Sequence, residues 1–314
     1  MTATEPGTVL ITGPTRGLGR ATALAMAARP HGRRPDLLLL GRPGEALEDV
    51  AEAARVRGAR AHTIGCDLSR LDDVRAAAAT ARQLLDAGTV RPLRALVANA
   101  GAMSSDTRLA SADGYELTFA VSYLAHAQLV GDLLGSLTAP ARIVLIGSNT
   151  YHANLYRRLM GVPGAQWRDP IEIARPDVGE TKPGFKSTGL AYSTTKLAIL
   201  YYAHELQRRT GPGVNVLVFE PGWMPGTALS RATPPAVQAL GRGIARLPGV
   251  ATPESSGPQL AAVALDDEYA RLRDGAFVVR GKVTEVLPVA RDRDRESRLW
   301  QATAELLDTE RAHR

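Results

Sequence analysis

Six short apolar runs recur along this 314-residue chain, at Thr8–Thr12, Asp36–Gly41, Ala59–Ile64, Leu93–Ala98, Ala141–Gly147 and Val214–Phe219. Each is bounded by glycine, proline or charge and is short enough to read as a strand buried on both faces. Longer amphipathic stretches lie between them, at Leu18–Ala28, Glu45–Arg57, Asp72–Ala87, Gly114–Leu137 and Tyr192–Arg209. Alternation at this pitch predicts an α/β fold built on a doubly wound parallel sheet. A weaker strand at Ala276–Val279 follows a helical segment at Glu254–Leu265, and a last helix spans Arg291–Leu307. No repeat, low-complexity linker or composition break divides the chain, so residues 1–314 read as a single domain. Within it, residues 149–190 are a long insertion and residues 228–314 a C-terminal extension.

Composition narrows the class of function. Hydrophobic residues make up 45% of the chain, ample for a sizeable core. The net charge is +6, yet the arginines fall in isolated pairs or alternate with acids, and only 5% of residues are aromatic. Clustered charge and stacking platforms are both missing, which argues against a nucleic-acid partner. The single cysteine, Cys66, excludes an intrachain disulfide framework and fits a reducing compartment. The histidines show no ligand spacing with acids or cysteine, so no metal is expected. No uninterrupted apolar run approaches the roughly 20 residues of a membrane span, and Met1–Gly7 lacks an export pattern. A cytoplasmic protein is the expectation.

Directly after the first strand comes Thr12-Gly13-Pro14-Thr15-Arg16-Gly17-Leu18-Gly19, opening an alanine-rich helix. Glycines there allow a tight turn, and they let backbone N–H groups and the helix N-terminus approach a pyrophosphate. The second strand ends Leu40-Gly41-Arg42, where such folds read the adenosine ribose. No acid stands there to accept from a 2′-hydroxyl. Arg42, with Arg16, offers guanidinium donors suited to a 2′-phosphate, so NADPH (NADP+) is the expected cofactor.

More than forty residues separate the fifth strand from the helix at Tyr192, and they contain Tyr151, His152, Tyr156, Trp167 and Phe185. Loops of that length in compact domains are usually functional or disordered. Aromatics argue against disorder. They either pin the loop to the body or form a substrate wall.

Together these elements resemble the short-chain dehydrogenase/reductase family, a Rossmann fold. The resemblance rests on Thr12–Gly19, Asp67-Leu68 after the third strand, Asn99-Ala100-Gly101 after the fourth and Ser148 after the fifth. Tyr192-Ser193-Thr194-Thr195-Lys196 and Pro221-Gly222 continue the series in family order. Thr252-Pro253-Glu254, Arg298-Leu299-Trp300, Glu305-Leu306-Leu307 and the long segment after Ser148 are similar to the retinol dehydrogenase and protochlorophyllide reductase branch. The resemblance implies an oxidoreductase passing hydride to a ketone or aldehyde, with alcohol oxidation as the reverse. Tyr192 is the implied proton donor. A free phenol near pKa 10 is a poor acid at neutral pH, and Lys196, one helical turn on, would lower that pKa. Lys196 would also hold the nicotinamide ribose, while Ser148 donates to the substrate oxygen.

Cofactor contacts are implied for Gly13, Thr15, Arg16, Gly17, Leu18, Gly19, Arg42, Asp67 and Leu68 (at the adenine), Asn99, Ala100, Gly101, Pro221, Gly222 and Thr227. Substrate contacts are expected from Tyr151, His152 and Tyr156 of the insertion and from Trp223, around a bulky, partly apolar carbonyl compound. His126, in the helix after Ser122, reads as packing or interfacial. The helices Gly114–Leu137 and Tyr192–Arg209 resemble those through which family members form homodimers. Three departures stand out. Ser122 occupies the place of the family's fourth catalytic residue, an asparagine. Gly226 stands where a threonine is usual, displacing that role to Thr227. Cys66 lies away from the functional cysteine of the pigment reductases, which argues against light-driven chemistry. C=C reduction, redox-neutral isomerisation and a non-catalytic NADP(H)-binding sensor remain alternatives on the same fold.

Overall fold

The computed structural model describes residues 6–152, 163–178, 184–224 and 250–312. In chain order the main elements are β1 (Thr8–Thr12), α1 (Gly17–Ala27), β2 (Asp36–Gly41), α2 (Glu45–Val56), β3 (Ala61–Gly65), α3 (Leu71–Asp86) and β4 (Leu93–Ala98). Then come α4 (Leu117–Ser136), β5 (Leu137–Ile146), α5 (Phe185–Arg209), β6 (Val214–Glu220), α6 (Pro253–Leu265), β7 (Ala276–Val279), β8 (Lys282–Thr284) and α7 (Arg293–Ala312). The eight strands form one sheet in the order β3-β2-β1-β4-β5-β6-β7-β8, parallel except for the β7–β8 pair. The winding reverses between β1 and β4, and a crevice opens there at the carboxyl ends of the strands.

Period-two alternation divides the core. Leu10, Leu38, Leu40, Leu96, Ile143, Leu145, Val216 and Val218 pack with residues of α3, α4 and α5. Their sequence neighbours Val9, Ile11, Leu37, Leu39, Val97, Val144, Leu217 and Phe219 pack with α1, α2 and α6. Burial on both faces is why the strands carry unbroken apolar runs. On the second face α6 meets α1 closely: a Cβ on Gly257 would lie 2.6 Å from that of Ala21.

Three boundaries differ from the sequence expectation. Helix α4 begins at Leu117 rather than Gly114, because Gly114 turns at φ +83° and the Glu116 carboxylate caps the helix by accepting from Phe119 N at 2.8 Å. Helix α5 begins at Phe185, seven residues before Tyr192, so the end of the insertion is helix rather than loop. Strand β8 has no counterpart in the sequence expectation. Arg280 (φ 48°) and Gly281 (φ 81°) form a two-residue hairpin that pairs Val279 with Lys282.

Leu117–Ser136 is long and apolar enough to cross a membrane by length and composition, although serine, histidine and glutamine interrupt its apolar run. Some 72% of its apolar window is buried inside the fold. Helix α7 packs against α5 and reaches α4. Trp300 stacks on Tyr202 at 5.7 Å, Thr303 Oγ1 lies 2.6 Å from Tyr123 Oη, Leu299 is fully buried, and Glu296 binds His204 at 2.9 Å.

Candidate active site

Where β1 ends, the chain needs conformations that only glycine adopts easily. Gly13 (φ 64°) and Gly17 (φ 53°) are left-handed. A Cβ on Gly19 would sit inside the van der Waals envelope of Gly13 O and Asn99 Nδ2. Asn99 straps the turn from β4, its Nδ2 donating to Thr12 O at 2.8 Å and to Gly13 O at 3.2 Å. Ala100 N donates to Thr12 Oγ1 at 2.9 Å. The result is a rigid cradle at the N-terminus of α1, with Thr15 half-buried beside it, Leu18 buried behind it, and Arg16 exposed as the helix N-cap residue. Arg42 is exposed at the end of β2. Anion chemistry suits such a place: backbone donors and a helix dipole meet there, with Arg16 at the helix N-terminus and Arg42 at the end of the adjoining strand.

Asp67 Oδ1 accepts from Ser69 N at 2.9 Å and Ser69 Oγ at 2.8 Å, which closes its own loop. Leu68 is buried in the same core cluster as Val74.

The catalytic candidates come from β5 and α5. Lys196 is 3% exposed, donates through Nζ to Ile146 O at 2.7 Å, and lies 5.4 Å from the centroid of the Tyr192 ring. Burial pushes its pKa down to about 8, against an opposing pull from the Glu220 carboxylate. Tyr192 is half-buried one turn earlier on the same helix face. Ser148, two residues past Ile146, caps the turn Asn149–Tyr151, its Oγ accepting from Thr150 N at 3.3 Å. Its hydroxyl proton stays available for donation.

Ser122 falls in a π-helical turn, Ala120–Leu124, and its Oγ both donates to Ala102 O at 3.1 Å and accepts from Ala102 N at 3.0 Å. A short hydroxyl there ties down the segment that follows Gly101. His126, one turn on, is a polar bridge rather than simple packing. Its Nδ1 lies 3.3 Å from Ser122 O and its Nε2 3.0 Å from Thr12 Oγ1. The carbonyl can only accept, so Nδ1 carries the proton and Nε2 accepts from threonine. Burial pushes its pKa down to about 4, which keeps it neutral. Nothing in the local sequence signals this role, because Thr12 and His126 are 114 positions apart.

The expected substrate residues divide. Tyr151 is buried (3% exposed), its hydroxyl accepts from Leu287 N at 3.0 Å, and its ring meets Phe277 edge-on at 6.4 Å. It is an anchor, which corrects its placement as a substrate contact. His152 is half-buried against Tyr151, and Trp223 is 56% exposed just after Pro221 and Gly222. Gly222 needs its positive φ of 91°, and Pro221 O accepts from Ser256 Oγ at 2.9 Å. Tyr156, Gly226 and Thr227 lie outside the described residues. Trp167 packs edge-on against Tyr201 at 4.7 Å and fastens the insertion to α5. Sequence reasoning missed the stitching by Ser193 and Thr194, inside the Tyr192–Lys196 motif itself. Ser193 Oγ donates to Pro163 O at 3.0 Å, and Thr194 Oγ1 accepts from Gln166 N at 3.2 Å.

A doubly wound sheet with a glycine cradle, an asparagine strap and a Ser–Tyr–Lys set on β5 and α5 defines a dinucleotide-dependent oxidoreductase. The chain belongs to the short-chain dehydrogenase family, whose model matches residues 7–158. It is 30% identical to retinol dehydrogenase 13 of Mus musculus over 99% of this chain and 87% of that protein. It is 34% identical to a Streptomyces sp. (strain C5) protein provisionally assigned as a daunorubicin C-13 ketoreductase, over 69% of this chain and 66% of that one. The fold is similar to a short chain dehydrogenase from Burkholderia cenocepacia J2315, solved in complex with NADP. The TM-score is 0.63 and the identity 22%, covering 88% of this chain and 96% of that one.

Proposed function

We propose that the protein is an NADPH-dependent reductase of a ketone or aldehyde carried on a bulky, partly apolar substrate, the reverse alcohol oxidation being open to the same site. The observation that carries this reading is the Lys196 ammonium, buried, held on Ile146 O and one turn from Tyr192. When bound, the cofactor supplies the hydride. Ser148 Oγ donates to the substrate carbonyl oxygen and orients it. The Tyr192 phenol gives its proton to that oxygen as negative charge develops, and the Lys196 charge stabilises the phenolate left behind. The cradle of Gly13, Gly17, Gly19 and Asn99 fits a pyrophosphate, since a Cβ at Gly19 would fill the space that the backbone needs. Arg42 and Arg16, with no acid at the end of β2, support the 2′-phosphate form.

Trp223 and His152 are the substrate-facing aromatics this reading uses. Its apolar preference is supported by relatives named for retinol and daunorubicin. A non-catalytic NADP(H) sensor is the second reading. It is favoured by Ser122, whose side chain is committed to Ala102. NADPH consumption against a panel of carbonyl compounds, with product analysis, tests both. Alcohol products support reduction of C=O, and saturated ketones would point to C=C chemistry. Tight NADPH binding without turnover on any member would favour the sensor.

A further inference from the structure

Strand β6 is apolar at almost every position, yet it ends in an acid. Glu220 is 6% exposed, at the level where strands deliver side chains to the crevice. A carboxylate buried there is costly unless something holds it. Asn149 does so from the residue after Ser148, its Nδ2 donating to Glu220 Oε2 at 3.3 Å. Strand pairing sets Phe219 opposite Ile146, and Gly147 N donates to Phe219 O at 2.9 Å. Glu220 therefore lies one residue past the level of Ile146, whose carbonyl receives Lys196 Nζ.

Three titratable groups face Lys196 among the described residues. Tyr192 comes from its own helix, His126 from α4 and Glu220 from β6. His126 is neutral, so Glu220 supplies the negative charge that opposes the burial of the ammonium.

We propose that Glu220 is a positioning residue: its carboxylate, fixed by Asn149 at the end of β6, keeps the buried Lys196 ammonium charged, so that Tyr192 can act at neutral pH. The inference rests on Lys196 serving Tyr192, as in the function proposed above. It also links the substrate side to the proton donor, because Asn149 connects Glu220 to the turn that Ser148 caps.

The lysine content makes a direct test practical. The chain has four lysines, Lys182, Lys186, Lys196 and Lys282. The full chain labelled with carbon-13 at lysine Cε therefore gives at most four signals, and Lys196→Met assigns the one of interest. Its titration in the cofactor-free protein should move down by about one pH unit in Glu220→Gln, and by less in Glu220→Asp, which keeps the charge. Glu220→Gln should also lower kcat at pH 7 about twofold, as the charged fraction of Lys196 falls, with affinity for 2′,5′-ADP unchanged because that fragment ends short of the nicotinamide ribose. An unchanged Lys196 midpoint in Glu220→Gln overturns the proposal, and so does a larger fall in Glu220→Asp. If Glu220→Gln does not fold, the Asp variant alone decides by whether its midpoint shifts. The titration needs neither cofactor nor substrate, so its outcome is independent of whether the wild-type protein reduces any carbonyl.

Discussion

The two halves of the crevice are built differently. On the β1–β4 side, the turn at Gly13–Gly19 is held by main-chain geometry, and Asn99 and Thr12 bond directly to it. On the β5–α5 side, the wall is assembled from distant segments. Tyr151 receives Leu287 N, Ser193 holds Pro163, Thr194 holds Gln166, and Arg298 of α7 bonds to Asp169 at 2.8 Å. On the function proposed above, the cradle would hold the cofactor, and glycine with short straps makes it rigid. A substrate wall must differ from one enzyme to the next, and long-range side-chain contacts let it vary without disturbing the cradle.

Breaking the chemistry while sparing both halves should give the largest effect. Tyr192→Phe removes the transferable proton and keeps the ring, so kcat should fall roughly 10²- to 10⁴-fold with NADPH affinity intact. Stopped-flow turnover alongside a cofactor titration checks this, and near-normal kcat would sink the mechanism.

His126 ties the end of β1 to α4, and acid should expose it. Its folded pKa of about 4 lies below the ordinary 6.5, so the unfolded chain binds a proton there that the folded chain refuses. That contribution to stability is complete above pH 6.5, declines as pH falls through the window, and is lost below about pH 4. The loss amounts to roughly 3 kcal/mol. Urea midpoints measured across this range should fall more steeply for wild type than for His126→Gln, which cannot titrate. Parallel curves would remove His126 from the account.

The cradle side is sharpened by Arg42→Asp. NADPH affinity should drop about 30-fold, near 2 kcal/mol, while NADH affinity holds or improves. A wild type that prefers NADH would defeat the 2′-phosphate reading.

The smallest effect separates wall from anchor. Tyr151→Phe deletes the acceptor for Leu287 N, so stability should fall by about 1 kcal/mol with KM for a bulky ketone unchanged. A raised KM with unchanged melting would restore Tyr151 to the substrate surface.

Much of the cradle is legible in the sequence because its constraints are local. Gly13, Gly17 and Gly19 are dictated by backbone angles and close approach, and Arg42 ends a strand whose apolar run is unmistakable. Tyr192 and Lys196 are legible for the same reason: a four-residue spacing on a helix fixes their common face whatever surrounds it. Tyr151 misleads because an aromatic residue in a loop reads alike whether its ring is bare or buried. Only the positions of Leu287 and Phe277, more than 120 residues on, make it an anchor. Helix α5 hides its first two turns behind Gly184 and Gly189, residues that ordinarily signal loop.

By itself, then, the sequence determined the alternation of strands and helices, the cradle and the Tyr192–Lys196 pair, which depend on bond geometry within a few residues, while Ser148 was legible only through the family resemblance. Tertiary structure alone decided that α7 packs Trp300 on Tyr202 and Thr303 on Tyr123, that His126 bridges Thr12 and Ser122, and that Glu220 is buried one residue past Ile146, whose carbonyl holds the Lys196 ammonium. Each of these depends on which segments the sheet order brings together, and on how far burial there shifts the balance between charged and neutral groups.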